Sequence, residues 1–515
     1  MEAKTEKVDR SVSSQSYMSN GTSHGPLSPT NQALGRWKSI KERPVRPIKA
    51  AKRTSEDERI EKSLKPSVRE AASTSAVSGF ADSYIGPFAI ELGASNLQIG
   101  FLTSVMNFFA PLSQLFTLKK LNEGMSKKSI VMFSLFIHFI LLIPILLIPF
   151  LFKENRVMIL MILFVLYSIF AYLFSPAWAL WMGDLVPDRV RGEFFAKRNK
   201  VAGIVTLITT LVAGLVLNHY TDNIFYGYML IFGAAVFFGF ISLVFLAQQY
   251  EPKYGSSRKR FDFRDVFTSI EDKNYKRFVL YISLLRVAVN IAAPFFAVYM
   301  LRDLQFSYMQ FSLVTVFSSL AGFLTFTHWG KSIDKFGNVY VIRATGFLVA
   351  LSPILWLFSS NFYWILTLQI FGGVMWAGFN LATFNFINDA IPRDKRALSF
   401  TFFNIFTGMG VFIGATAGGF LANVKLPFLD NAFFTVFLLS GILRFLMAAI
   451  FVFRINEVRY VEKGKPILEF FGVTPIYTHV KKVVMDEYVI PRVVPKKVRL
   501  KKRWLIKYLF SDEYG

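Results

Sequence analysis

The chain has 515 residues and a net charge of +24, yet only 18% of its residues are charged and 53% are hydrophobic, with a mean hydropathy of +0.42. Soluble domains carry about 25% charged residues, so an ordinary soluble chain is excluded. The absence of cysteine excludes disulfides, thiolate metal sites and cysteine nucleophiles.

Residues 1–68 are rich in Ser, Pro, Lys, Arg and Glu without a sustained apolar period. A disordered cytoplasmic tail is expected there, with some helix around 55–64. No cleavable signal peptide is visible, and the first apolar span begins near Ala71. Roughly 20 apolar residues cross a hydrocarbon core about 30 Å thick. On that measure the first half of the chain holds spans at about 71–92, 98–118, 129–151, 157–182, 201–219 and 224–247. The second half holds them at about 278–301, 308–328, 340–358, 362–387, 399–421 and 430–453. The spans are apolar nearly all round, unlike soluble helices with one polar face. The expected fold is an all-α membrane protein: twelve transmembrane helices in a bundle over 69–247 and a second over 277–454, with a central loop at 248–276 and a basic tail at 455–515.

Charge orients the chain. Lys119, Lys120, Lys127, Lys128, Arg191, Lys197, Arg198, Lys331, Lys335 and Arg396 all fall in loops on one side, with further bases in the central loop. The other side offers only Lys153, Arg156, Arg302 and Lys425. The positive-inside rule puts both termini in the cytoplasm of a multi-pass protein of the cell membrane.

Ionisable groups inside spans cost roughly 2.5–3.5 kcal/mol at a helix centre and are functional candidates by default. Asp82 lies mid-span, about 15 Å from each face at 1.5 Å per residue. Ser75, Ser78, Asp82 and Gly86 form a polar stripe on span one, and Asp82 could take a proton, a cation or a cationic substrate group. Arg286 and Asn290 share a face of span seven, and Arg286 could grip a carboxylate or phosphate or pair with Asp82. Trp376, Asn380 and Thr383 share a face of span ten; Tyr172, Ser175 and Trp178 lie on span four. Aromatic and amide groups together suit a sugar or an amphipathic organic ligand. His138 and Arg444, on spans three and twelve, are expected to snorkel or touch lipid.

Two segments repeat at identical spacing. Asp184, Pro187, Arg191 and Asn199 follow span four, and Asp389, Pro392, Arg396 and Asn404 follow span ten. A duplicated six-span unit predicts this. Each proline stops or redirects the chain, and Arg191 and Arg396 could pair with acids or helix C-termini. Gly410, Gly414 and Gly418 on span eleven are spaced for close helix packing.

The loop after span eight reads Gly330-Lys331-Ser332-Ile333-Asp334-Lys335-Phe336-Gly337-Asn338. It resembles the G-x-x-x-D-[RK]-x-G-[RK] loop of the major facilitator superfamily. Gly330, Asp334, Lys335 and Gly337 are kept, while Asn338 stands where the family has a base. The first-half copy is degenerate, keeping Lys127 and Lys128 with Glu123 near the acid position. The resemblance, over about 71–454, implies a secondary transporter that works by alternating access, with spans one and seven lining a central cavity. It also implies that Asp334 helps hold the outward-facing state with Arg396 or a nearby base.

A small-molecule substrate, possible proton coupling and a monomer are expected, with no cofactor and no nucleic acid. Anionic lipid is the expected partner of the basic run from Lys496 to Arg503. A non-transporting receptor or scaffold with the same fold is the alternative. An enzyme is not expected, because the five His are scattered.

Overall fold

The computed structural model describes residues 55–187, 190–252, 272–392, 395–427, 429 and 431–459. The basic run from Lys496 to Arg503, most of the central loop and the first 54 residues lie outside them. Among the described residues the regular structure is entirely helical.

Span one runs through Ser55–Val77, a π-helical turn at Ser78–Asp82 and Ile85–Glu91. Spans two to six are Asn96–Asn122; Lys127–Ile140 with Leu142–Leu151; Arg156–Leu185; Arg191–His219; and Ile224–Ala247. Span seven comprises Lys273–Ala292, Phe295–Val298 and a second π-helical turn at Tyr299–Asp303. Spans eight to twelve are Tyr308–Phe336, Asn338–Leu355, Phe362–Ala390, Arg396–Leu421 and Ala432–Phe451. Spans two to twelve are the eleven helices long and apolar enough to cross a membrane among the described residues. Span one is left out of that set by its charged early turns and its mid-span break.

Span one begins at Ser55, so the helix expected around 55–64 is present and runs on without a break through 65–68 into the span. Ile60, Ser63, Pro66, Ser67 and Glu70 are buried along one face. Most of those buried residues are polar or proline, which hid the helical period from a hydropathy reading.

Proline explains the other breaks. Pro144 lacks an N–H and crowds the carbonyl four residues back, and span three is interrupted at Leu141. Pro294 interrupts span seven in the same way. Helix starts repeat between the halves. Ser95 and Gln98 form a capping box at span two, and Ser307 and Gln310 form another at span eight.

Span eleven packs through its small residues. A methyl group on Gly410, Gly414 or Gly418 would run into the carbonyl oxygens of Ser283, Val287 and Ile291, one turn of span seven after another. Its other side meets span two, where a Cβ on Gly100 would collide with the Ala415 carbonyl. Small residues thus let three helices from two halves approach backbone to backbone.

The halves join mainly at the end opposite the basic loops. Asn96 donates to the Ala422 carbonyl and to Asn423 at 3.3 and 3.1 Å. Arg302 donates to Asn96 and to the Ala94 carbonyl at 3.1 and 2.7 Å. Tyr308 donates to Glu91 at 2.5 Å and receives a bond from Tyr228 at 3.0 Å. Deeper in, Tyr84 meets Ser312 at 2.6 Å and Ser104 meets Thr416 at 2.8 Å. Span two still touches span eleven where Gly408 packs on Asn107, eleven residues into the helix from Asn96 and so about 16 Å deep.

Candidate functional site

Span one carries Asp82 on the last residue of its π-helical turn. Such turns put an extra residue into a helix and recur at functional sites. Tyr167 of span four donates its hydroxyl to Asp82 Oδ1 at 2.6 Å. His138 of span three stacks on Tyr167 with ring centroids 3.8 Å apart and bonds the Tyr167 carbonyl through Nδ1 at 2.9 Å. The tyrosine and histidine are buried, but Asp82 stays exposed. A carboxyl in mid-span is thus held on one oxygen by a rigid donor while its side chain remains exposed. His138 was expected at the periphery; it is instead 7% exposed, because its ring completes this three-helix cluster.

A second cluster forms where the halves face each other. The Arg286 guanidinium of span seven lies 5.8 Å from the Trp376 ring centroid of span ten. Tyr172 of span four is within electrostatic reach of the same guanidinium. Three spans from two halves therefore converge on one cation, and among the described residues no ion pair engages it. Asn290 is buried and donates to the Arg286 carbonyl at 2.9 Å, tying down its own helix. Asn380, one turn from Trp376, is exposed.

Asp82 and Arg286 do not pair. Tyr167 and Tyr172 are five residues apart on span four, which turns them about 140° from one another at 3.6 residues per turn. The tyrosine bonded to Asp82 thus points well away from the one beside Arg286.

Trp178 belongs to a third cluster, near the basic end. Arg198 of span five pairs with Glu70 of span one at 2.8 Å, with the side chains 13% and 4% exposed. The same guanidinium lies 4.6 Å from the Trp178 ring centroid. Glu70 also accepts from Thr74 at 3.0 Å, and Thr74 meets Ser242 of span six at 2.7 Å. Trp178, expected among the substrate groups, is seated by a cation of its own half. Sequence reading missed Glu70 because it set the start of span one at Ala71. The one available signal was the helical spacing of Ser63, Ser67, Glu70 and Thr74.

The basic-end loops show the duplication at atomic detail. Arg191 caps the end of span four through the Gly183 and Val186 carbonyls at 2.8 and 3.0 Å. Arg396 caps span ten through the Asn388 and Ile391 carbonyls at 2.7 and 3.3 Å. Lys127, starting span three, pairs with Asp184; Asn338, starting span nine, donates to Asp389 at 2.8 Å. Where Asn338 leaves the second half short of a base, Arg459 from beyond span twelve supplies it. Its Nε lies 3.0 Å from Asp389 and its Nη1 3.4 Å from Asp334. The partner of Asp334 is therefore Arg459 and not Arg396, whose guanidinium is taken up by carbonyls. The segments after spans six and twelve also correspond. Glu251 accepts from the Lys127 N–H at 2.8 Å, and Glu457 from the Val339 N–H at 2.7 Å. Gly337, at φ 90°, leaves no room for a Cβ beside Glu457. Gly330 has open space around it, and Lys335 is exposed over Phe336. In the degenerate first-half loop, the hydrogen bond from Lys120 at 2.7 Å holds the Glu123 carboxyl below the usual carboxylate range.

Arg444 corrects another expectation. It is 2% exposed and donates to the Val349 and Val289 carbonyls at 3.1 and 3.3 Å, fastening span twelve to spans nine and seven.

The model of the Major Facilitator Superfamily matches residues 71–288 and 278–511. The chain belongs to that family. It is a multi-pass membrane protein of a transporter family, not an enzyme. Among curated relatives, it is 26% identical over 183 residues to the quinolone resistance protein NorA of Staphylococcus aureus, a match covering 35% of this chain and 45% of that one. The chain therefore spans less than half the length of NorA in that match. It is 21% identical over 353 residues to an MFS-type transporter of Methanocaldococcus jannaschii, covering 67% of this chain and 87% of the relative. Among solved structures, a D-xylose–proton symporter superposes with a TM-score of 0.61 at 14% identity, covering 78% of this chain and 99% of that one. The nucleoside transporter NupG gives 0.59 at 15% identity, covering 76% and 100%.

Proposed function

We propose that the chain is a secondary transporter for a small organic anion carrying a ring, moved by alternating access and coupled to protons at Asp82. The observation that carries this reading is the convergence of Tyr172, Arg286 and Trp376 between the halves on a cation that no carboxylate pairs with among the described residues. An unpaired guanidinium at mid-span is costly. It offers charge-assisted bonds to a carboxylate or phosphate, and the flanking rings offer faces for a planar substrate. NorA is named for quinolone resistance, and two kinds of solved neighbour are named for nucleosides and D-xylose, which are compact ring compounds, while others are named for iron or metal transport. The breaks in spans one and seven fit a site built on discontinuous helices.

The basic end is the cytoplasmic one by the positive-inside rule. The bonds joining the halves at the opposite end then close the outer face, and the conformation is inward-facing. In it Asp334 is exposed and, among the described residues, pairs with an exposed Arg459, as suits a loop whose grip across the halves belongs to the other state.

The test is flux in proteoliposomes with a panel of ring carboxylates, nucleoside monophosphates and neutral sugars. Loss of charge-assisted bonds worth about 1.5–3 kcal/mol makes Arg286→Gln at least about tenfold weaker for anions. Asp82→Asn abolishes proton-driven accumulation while sparing exchange of substrate for substrate. Uptake of neutral sugars alone, with Arg286→Gln unaffected, would refute the anion assignment; pH-dependent accumulation surviving in Asp82→Asn would refute the coupling role.

A further inference from the structure

A cleft of about 520 Å³ opens between spans one and five near the basic end, apart from all three clusters above. One face of span one supplies Leu64, Lys65, Val68 and Arg69, and one face of span five supplies Val190, Glu193, Phe194 and Lys197. The lining is therefore amphipathic: four apolar side chains beside three bases and one acid. The bases Lys65, Arg69 and Lys197 are exposed, and no ion pair within the described residues neutralises them. Glu70, one residue beyond Arg69, is committed to Arg198, which leaves Glu193 as the acid of the lining.

The level of the cleft across the membrane follows from its neighbours. The Arg69 guanidinium lies 5.8 Å from the ring centroid of Phe245, in the last turn of span six, which ends at Ala247. Ser63, beside Leu64, accepts from the Tyr250 N–H at 2.8 Å, three residues past that end. The cleft thus straddles the point where an apolar span gives way to polar chain, which is where lipid headgroups lie. Bases at that depth with apolar walls alongside match a molecule that is anionic at one end and apolar at the other. A soluble anion would have no use for the Leu64, Val68, Val190 and Phe194 wall.

We propose that this cleft holds the phosphate headgroup of an anionic phospholipid between Lys65, Arg69 and Lys197, with the glycerol and first methylenes against the apolar wall. Each base near an anionic membrane surface contributes about 1 kcal/mol, or about fivefold in binding, and Glu193 offsets part of that sum.

The test uses the full chain in nanodiscs containing phosphatidylglycerol or phosphatidylcholine with a photoreactive group near the glycerol, and maps the labelled peptides. Phosphatidylglycerol should label segments 60–72 and 190–200 at least tenfold more than phosphatidylcholine. The triple variant K65Q/R69Q/K197Q should lose that preference, whereas K497Q/K501Q/K502Q in the basic tail should keep it. E193Q, which removes the opposing charge, should raise the preference severalfold and serves as the deciding variant if the triple variant does not fold. Equal labelling by the two lipids overturns the proposal, as does selectivity unchanged in the triple variant or not raised in E193Q. Competition by millimolar glycerol phosphate also overturns it, because the cleft would then be a site for a free phosphate.

Discussion

Glu70→Ala strands a buried guanidinium. The Glu70 and Arg198 side chains are 4% and 13% exposed and 2.8 Å apart. Breaking a buried pair by removing one partner costs about 3–5 kcal/mol, mostly from the uncompensated charge left behind. The slight exposure of Arg198 and its hold on the Trp178 ring at 4.6 Å bring the cost toward the lower end, about 3 kcal/mol. Arg198→Ala costs less, because a lone carboxyl can take up a proton whereas a guanidinium cannot shed one. Replacing both residues by apolar ones of similar volume, Glu70→Leu with Arg198→Met, stays within about 1 kcal/mol of the natural chain. The assay is reversible unfolding in mixed micelles across the four members of a double-mutant cycle. A coupling of about 2 kcal/mol or more is expected. A Glu70→Ala cost below about 1 kcal/mol, or single effects that simply add, would show that the pair is solvated and refute the argument.

Other outcomes follow from the same geometry. Gly414→Leu drives a side chain into the Val287 backbone and should cost at least about 1–3 kcal/mol, read as loss of folded protein on size exclusion. Gly330→Ala, with open space around it inside a helix, should be neutral or stabilise by about 0.5–1 kcal/mol in the same unfolding assay. Asn96→Ala removes two bonds to the residues just past span eleven and one from Arg302. At about 1 kcal/mol each, this should shift the population at least tenfold toward separation at that end, measured by spin-label distances between spans two and eleven. Arg459→Ala frees Asp334 and Asp389 from an exposed pairing. It should change stability by less than about 1 kcal/mol yet alter spin-label distances between the basic ends of the two halves.

The scaffold was legible in the sequence because membrane-crossing helices announce themselves by length and apolarity, and because the two copies share turn chemistry. Asp184 and Asp389, with Arg191 and Arg396, occupy matching places, and both arginines cap the helix before them. The helix around 55–64 was legible, but not its continuity with span one, since the buried face there is built largely from Ser63, Ser67 and Glu70 rather than from large apolar groups. The sites were legible only in part. Asp82 and Arg286 stood out because charge inside a span is rare, but their partners did not. Tyr167 is one of 20 tyrosines, and nothing in its local sequence sets it beside a carboxylate 85 residues away. His138 and Arg444 were misjudged for the converse reason. Their helices lie toward the outside of each bundle, and sequence does not tell which face of such a helix points inward.

The halves match in scaffold and differ in chemistry. Capping boxes, helix-end arginines and the glutamates after spans six and twelve recur pair by pair. Asp82 sits mid-span in the first half, and Arg286, which no ion pair engages among the described residues, sits in the second. Even the basic-end loops diverge, since Lys127 does within the first half what Asn338 can do in the second only with Arg459 added from beyond span twelve. A symmetric scaffold gives two bodies that can rock against each other about a shared face. On the proposed reading, separating the acid from the cation would place the proton and the anion on different bodies, so the charge on one half would bias its fit to the other without the two ligands competing for one group.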